Sequence, residues 1–535
     1  MTVQRRELLK LAGSGLGLAA VPLAAVAANH PGTGADSQGS LAGWLNVRSF
    51  GAVGDGQTPD TAAINKAIDA AAVAGGGTVF FPAGVYASYS IHLKSNVCLY
   101  LDQGAAILAA STPFEGMTTG GYDAAEPQGA WEPYQDYGHN HWHNSLIWGE
   151  SIHDVSILGP GLIWGKGLSR GHDEKALPDT TKPGVGNKAI ALKNCYNVIL
   201  RDFSILQGGW FGILATGVDN LTIDNLKIDT NRDGMDIDCC RNVRVSNCTV
   251  NSPWDDAICP KSSFALGYAR PTENVTITNC YVTGDYELGS LLDGTWKRRP
   301  PGPKNWATGR IKLGTESNGG FRNITISNCV FENCRGFALE TVDGALCEDI
   351  TFTGIAMRGV GYAPLFLRLG TRMRGPQGTP VGILKRVILS NIVSSGAGII
   401  PSILSGVPGH NIEDIKISDV YFEQVGGGSA ALAAIEPPLK ENAYPEPNMF
   451  GDLPASGIFI RYVRNLEVNN VEIATAQADA RPAFWLADVD GADFFRVRVP
   501  GGAPAFDLRR VKNFHSFGSR SIADVSLDNV ETKKI

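Results

Sequence analysis

Asn220-Leu-Thr-Ile-Asp-Asn-Leu-Lys-Ile228 is answered 22 residues on by Asn242-Val-Arg-Val-Ser-Asn-Cys-Thr-Val250, and again by Asn274-Val-Thr-Ile-Thr-Asn-Cys-Tyr-Val282. Apolar and polar side chains alternate through each copy, as in a strand that buries one face. Other copies start at Asn197, Asn323, Asp349, Asp414, Asn465 and Asp524. The tightest spacings are 23 residues (197 to 220), 22 (220 to 242) and 26 (323 to 349). The 49 residues from Asn274 to Asn323 read as two units, or as one unit with an inserted loop. A strand that recurs at this period indicates a solenoid, in which stacking buries faces that no single strand can bury alone. Asn at a fixed turn position tolerates left-handed backbone angles and can bond to its copies above and below. The expected fold is all-β: a single-stranded right-handed parallel β-helix. Its handedness follows the general preference of parallel crossovers.

A solenoid needs capped ends. Thr58-Pro59-Asp60 reads as a helix start with Pro at the first position, Ala62 through Ala74 as the helix, and Gly75-Gly76-Gly77 as its stop. This N-terminal capping helix is expected to plug the first coil. No second domain is apparent. Residues 45–535 are expected to form one catalytic domain, 28–44 a leader, and 425–456 a long loop rich in Gly, Ala and Pro. Composition agrees: 43% hydrophobic and 19% charged residues argue against disorder, and 64 Gly in 535 residues argue for a turn-rich chain. The net charge of −7 speaks against nucleic acid as a partner. Beyond the N-terminus no apolar run reaches about 18 residues, so no membrane span is expected.

Residues 1–27 read as an export signal. Gln4-Arg5-Arg6-Glu7-Leu8-Leu9-Lys10 resembles a twin-arginine signal, an apolar run from Leu11 to Val26 follows, and Ala25-Val26-Ala27 is a cleavage site. The resemblance implies a periplasmic or secreted protein. Of ten cysteines, Cys195, Cys248, Cys280 and Cys329 each follow an Asn. They read as small buried side chains at a repeat position and not as a disulfide framework. No CxxC pair is present, so a zinc site is not expected; no cofactor is expected either.

Two acidic clusters carry the chemistry: Asn231-Arg-Asp-Gly-Met-Asp-Ile-Asp238 and Trp254-Asp-Asp-Ala-Ile258. Asp233 and Asp255 are 22 residues apart, one coil. With coils ~4.8 Å apart, the two should stand one above the other. Carboxylates this close repel, so at least one should hold its proton more tightly than usual, which suits general acid–base work. Asp236 and Asp238 read as turn residues. Calcium binding or plain solvated turn aspartates are the lesser alternative for this spacing.

These clusters closely resemble the polygalacturonases, glycoside hydrolase family 28. The opening Phe50-Gly-Ala-Val-Gly-Asp-Gly56 with Thr78-Val-Phe-Phe-Pro-Ala-Gly84 is similar to the β-helix start shared by many pectin-active proteins. The similarity runs from about residue 45 to about 475. It implies that Asp255 is the general acid, that Asp233 and Asp256 activate the attacking water, and that the anomeric centre is inverted. It also implies a usually monomeric protein acting on a poly- or oligosaccharide. Two family elements depart. The His of a His-Gly element is Thr308 here, placed by Leu313-Gly-Thr-Glu-Ser-Asn-Gly-Gly320, which includes Glu316. The Arg-Ile-Lys element that binds the substrate carboxylate is expected at Ala338-Leu339-Glu340, whereas the string Arg310-Ile311-Lys312 sits one coil too early. Glu340 would repel a galacturonate carboxylate and could accept hydroxyl hydrogens from a neutral sugar.

An insertion, Trp296-Lys-Arg-Arg-Pro-Pro301 with Lys304 and Trp306, could instead supply carboxylate recognition through Arg298 or remain a solvated loop (285–306). Candidate substrate-binding residues are therefore Thr308, Arg310, Lys312, Glu316, Glu340, Lys261, Trp296 and Arg298, with Trp210 and Trp254 as further stacking surfaces. His139-Asn-His-Trp-His143 alternates three imidazoles on one face of an extended segment; a sugar-contacting rim or a structural role is expected, with a transition-metal site the lesser alternative. The leading expectation is an exported glycoside hydrolase of altered specificity acting on pectin-derived or related plant cell-wall material. A polysaccharide lyase and a noncatalytic carbohydrate-binding β-helix are the alternatives.

Overall fold

The computed structural model describes residues 43–111, 121–169, 181–300 and 307–535. The export segment and residues 28–42 lie outside the described residues. Gly43 to Ile535 form one compact unit, and its first strand, Trp44–Asn46, pairs with Gly77–Phe81. Trp44, which the sequence assigns to the leader, is thus part of the fold, its ring packed against Phe80 and Tyr100.

Each coil contributes three short strands. Phe211–Thr216, Asp219–Asp224 and Lys227–Asp229 make one turn, and Asp233–Asp238, Arg241–Ser246 and Thr249–Asn251 make the next. Every strand pairs in parallel with its counterpart one coil on. Register puts Leu221 on Val243, Val243 on Val275 and Val275 on Ile324, all buried. Each such side chain is worth about 1.5–3 kcal/mol when fully buried. A column of them makes the continuous core that one coil lacks. Thr272–Thr278 pairs directly with Phe321–Ser327, so the 49-residue spacing is one coil with an inserted loop. Later coils lose a corner, and Leu346–Arg358 pairs with Ile383–Ala397 as long uninterrupted strands.

The Asn positions form the expected ladder. Asn197, Asn220, Asn242, Asn274 and Asn323 all have φ between 53° and 59°. Each side-chain amide donates to the residue one coil below: Asn220 to Asn197 at 3.0 Å, Asn242 to Asn220 at 3.2 Å, Asn274 to Asn242 at 3.1 Å and Asn323 to Asn274 at 2.8 Å. All ten cysteines are free, and the four at the repeat position are buried.

The capping helix spans Thr61–Val73 and buries Ile64, Ala67, Ile68 and Ala71. Pro59 is not its first residue; it ends the strand Asp55–Pro59. Asp60 intervenes because its buried carboxylate accepts the backbone N–H groups of Val53 (2.7 Å) and Gly54 (3.0 Å), which holds it at the boundary. At the other end, Val525–Lys534 runs antiparallel to Phe506–Phe517 and closes the stack. Among the described residues no helix is long and apolar enough to cross a membrane.

The segment 425–457 contains only the short helix Ala430–Ala433 and the turn Pro447–Phe450. It is nonetheless fastened. Buried Arg368 donates to the carbonyls of Leu439 (3.3 Å) and Lys440 (2.9 Å), and Phe450 packs on Phe459, which stacks on Trp485.

Candidate active site

One face of the helix is the six-stranded sheet that includes Lys188–Lys193, Phe211–Thr216, Asp233–Asp238 and Ile258–Lys261. Phe211 pairs with Asp233, and Met235 pairs with Ile258. The N–H of Gly234 donates to the carbonyl of Asp256 at 2.9 Å. This register sets Asp256, and not Asp255, one coil above Asp233, because the step between these coils is 23 residues. Asp255 takes the preceding position, above Arg232. Arg232 lies over the ring of buried Trp210 (4.4 Å to the centroid) and donates to Asp255 Oδ2 at 3.2 Å, with Asp233 Oδ2 at 3.6 Å. Trp210 is thus a platform for Arg232 beneath the surface.

All three carboxylates converge, with one oxygen of each within 4.8 Å of the others. Their environments differ sharply. Burial, with Asp255 and Asp236 nearby, pushes Asp233 well above the usual carboxylate range. Burial works on Asp256 in the same direction, but Lys312 and Arg310 outweigh it and hold that carboxylate far below its ordinary value. Arg310 Nε lies 2.8 Å from Asp256 Oδ1, and Lys312 Nζ lies 2.9 Å from Oδ2. The side chain of Asp255 is 30% exposed, the most open of the three. An acid whose proton is favoured by burial, an anion held by two cations and one open carboxyl suit general acid–base chemistry.

Arg310 and Lys312 are corrected by this geometry. They are buried, and they grip Asp256 instead of presenting cations to a ligand. Lys312 pairs with Ala338, one coil above, which puts Ala338-Leu339-Glu340 in the coil after Arg310-Ile311-Lys312. Glu340 is also corrected as a direct sugar contact. It is fully buried, neither carboxyl oxygen has a hydrogen-bond partner, and burial, partly offset by Lys312 and Arg310, lifts it to about 7. Thr308 lies against the acid turn: its N–H donates to the carbonyl of Pro253 (3.3 Å), and that of Gly309 to the carbonyl of Asp255 (2.9 Å). Gly309 has φ +45°, and a Cβ there would sit 2.2 Å from the carbonyl oxygen of Thr283. Only glycine fits this close approach.

Lys261 and Glu316 are buried partners at 3.1 Å, so neither is free for substrate. Lys261 also lies 3.8 Å from Asp236, and Arg372 lies 3.5 Å from Glu316. Asp236 and Asp238 are not turn residues; both are buried within a strand. Asp236 faces His139 Nε2 at 3.1 Å, and Asp238 accepts the N–H and the hydroxyl of Ser263.

Arg298, expected over the cleft, is taken by Asp285 and by Glu332 (3.0 Å). Trp296 packs edge-on against Tyr286 (5.2 Å between centroids) and stays 45% exposed. The neighbouring Arg299 is the one that reaches the site, lying 4.7 Å over the ring of half-exposed Trp254. Lys304 and Trp306 lie outside the described residues. The three imidazoles do not converge on a metal. His139 goes to Asp236, His141 to the carbonyl of Tyr137 (2.8 Å) and His143 to Glu150 (2.8 Å). Residues 137–139 turn as a 3-10 helix instead of alternating along a strand. Glu126, His143 and Glu150 do cluster, with the Lys193 ammonium 2.9 Å from Glu150.

Two residues that sequence reading missed come from the fastened segment. Glu446 accepts from Arg310 (2.6 and 3.4 Å) and from Arg335 (3.1 Å). Tyr444 accepts from the hydroxyl of Thr315 at 3.0 Å and lies under Lys312, 5.8 Å from its ring centroid. No local signal marks them: Glu446 lies 136 residues from Arg310 in sequence.

Residues 44–145 match a family described as rhamnogalacturonase A/epimerase, pectate lyase-like, and residues 163–295 match a right-handed β-helix region. The second match agrees with the handedness expected from sequence. The chain is 25% identical over 397 residues to a probable polygalacturonase of Vitis vinifera, covering 69% of this chain and 72% of that protein. A 65-residue stretch is 51% identical to a mannuronan C5-epimerase of Azotobacter vinelandii; it covers 12% of this chain and 6% of the epimerase. In three dimensions the chain resembles the family 28 exopolygalacturonase of Yersinia enterocolitica, with a TM-score of 0.59, 19% identity, and 88% of this chain and 78% of that one covered. The molecule is a right-handed parallel β-helix similar to polygalacturonases over most of its length.

Proposed function

We propose that the protein is an exported, monomeric glycoside hydrolase of the polygalacturonase type. It acts on pectin-derived or related plant cell-wall oligo- and polysaccharides, with recognition changed from plain polygalacturonate. The observation that carries this reading is the convergence of Asp233, Asp255 and Asp256 within 4.8 Å in three different electrostatic settings. Two oxygens at that separation can both bond to one water at about 2.8 Å. Asp233 and Asp256 hold that water, and the ionised Asp256 orients it. Burial favours the protonated form of Asp233 in the free protein. That proton passes through the neighbouring, more open Asp255 to the leaving oxygen. Asp233 is then ionised and accepts a proton from the water. Arg310 and Lys312 keep Asp256 charged, Arg232 positions Asp255, and Trp254 offers a flat face to a sugar. The expected outcome is inversion, as the resemblance to family 28 implies.

Proton NMR of the first product anomer therefore makes the test, with polygalacturonate and with neutral or rhamnose-containing pectic oligosaccharides as substrates. New reducing ends of inverted configuration are expected, and Asp255→Asn should lower turnover by about 10²–10⁴-fold without unfolding the protein. A retained anomer would remove the water-activating roles of Asp233 and Asp256. An unsaturated, ultraviolet-absorbing product would make the protein a lyase.

A further inference from the structure

Arg232, Arg310 and Lys312, the cations that touch the acid triad, each already hold a carboxylate of the chain itself. Arg310 spans two of them: Nε binds Asp256 at 2.8 Å, and the two terminal nitrogens bind Glu446 at 2.6 and 3.4 Å. One guanidinium thus separates the Glu446 carboxylate from a catalytic candidate. Arg335 adds a second arm to Glu446 at 3.1 Å. Two guanidinium groups converging on one carboxylate is the arrangement by which proteins recognise an anionic ligand. Here the anion is supplied from within. Lys312 offers no alternative, because it is held by Asp256 and backed by the buried, unpartnered Glu340.

Glu446 is placed too firmly to be an incidental surface contact. It directly precedes the turn Pro447–Phe450, where its backbone carbonyl accepts the N–H of Met449 at 2.9 Å, and Phe450 of that turn is buried on Phe459. Upstream, Arg368 pins the carbonyls of Leu439 and Lys440.

We propose that Glu446 is a specificity-determining residue: its carboxylate occupies the anion position between Arg310 and Arg335, so the sugar bound beside Asp256 must be uncharged on that side. This rests on the hydrolase reading and deepens it. A uronate there would have to displace Glu446 or sit against it, and either costs affinity. A neutral sugar, or a uronate whose carboxyl is esterified, meets no such opposition.

A uronate disaccharide and its dimethyl ester differ in carboxylate charge and in the two small methyl groups that mask it, and the comparison with and without Glu446→Gln isolates the part of the difference that Glu446 causes. Digalacturonate and its dimethyl ester would be titrated by calorimetry into Asp255→Asn protein, with and without Glu446→Gln. With Glu446 present, the ester is expected to bind at least about tenfold more tightly than the acid, and Glu446→Gln should erase or invert that ratio, a shift of about 1.4 kcal/mol or more. Adding Arg335→Met to the Glu446→Gln protein should remove the gained affinity for the acid. An acid-to-ester ratio unchanged by Glu446→Gln, or no binding of the acid by that variant, would overturn the proposal. Near-ultraviolet circular dichroism reports whether each variant keeps its fold, and if Glu446→Gln does not, Glu446→Ala serves in its place. Turnover by the wild type is a separate readout. A ratio that shifts in a protein that cleaves nothing would sink the hydrolase reading and leave Glu446 in its role; cleavage with an unmoved ratio would do the reverse.

Discussion

The exposed asparagine ladder and the buried charge column are built by the same operation, one residue per coil stacked on its copy. On the ladder, each Asn from Asn197 to Asn274 both donates and accepts, so every added coil satisfies the last one. In the column, Phe211, Asp233 and Asp256 succeed one another at equivalent positions, flanked by Trp210, Arg232 and Asp255. Nothing there is self-complementary. The acids become tolerable only because Arg232, Arg310 and Lys312 come in from neighbouring coils and because Asp233 keeps a proton. A repeat multiplies whatever chemistry is placed on it: neutral amides yield stability, and ionisable groups yield displaced proton affinities.

The sharpest way to break this contrast is to remove a cation from the column. Arg310→Met leaves Asp256 and Glu446 facing each other with one partner fewer, and breaking a buried pair of this kind costs about 3–5 kcal/mol. Urea denaturation should show a loss of that size; a loss under about 1 kcal/mol would mean the acids are solvated, as in an exposed pair. A ladder position is cheaper. Asn242→Ala forces an ordinary side chain into left-handed angles and removes the two side-chain hydrogen bonds to Asn220 and Asn274, for about 1–2 kcal/mol in the same measurement. It should leave catalysis alone, so a fall in kcat would show that the two columns are coupled. The third test has the opposite sign. Asp233→Asn should abolish turnover yet stabilise the protein by roughly 1 kcal/mol at pH 7. A carboxyl whose folded affinity for protons is raised contributes its full stability below the unfolded value, about 3.9, and loses it as pH rises. The advantage of the Asp233→Asn variant over wild type is therefore nil near about pH 3 and grows toward neutrality, which thermal melting across that range would follow. A variant no more stable at neutral pH than in acid, relative to wild type, would mean Asp233 is not held protonated.

The ladder was legible in sequence because its signal is local and recurrent: an Asn, then alternating apolar residues, at a spacing of about 22. The acid triad was legible for a similar reason, being two short clusters one coil apart. Reading the spacing as strictly 22 stacked Asp255 on Asp233, and a single extra residue in that coil moved Asp256 there instead. The partners of the acids were not legible. His139 meets Asp236 across 97 residues, and Glu446 meets Arg310 across 136. Such contacts come from loops that leave the helix and return, and no periodicity records where they land. Arg310 and Lys312 were visible, but their role depends on which coil faces the triad, which only the register decides.

The antiparallel strand Val525–Lys534 bears on how the molecule behaves in company. A stack of parallel strands ends in open hydrogen-bonding groups that would accept another chain in the same direction. This last strand reverses direction and carries Asp528, Glu531, Lys533 and Lys534 along an exposed stretch. Charged, reversed edges of this type discourage strand-by-strand addition. In an architecture whose parallel strands could otherwise template one another, the reversed, charged strand at this edge opposes fibre-like accretion of a second copy there.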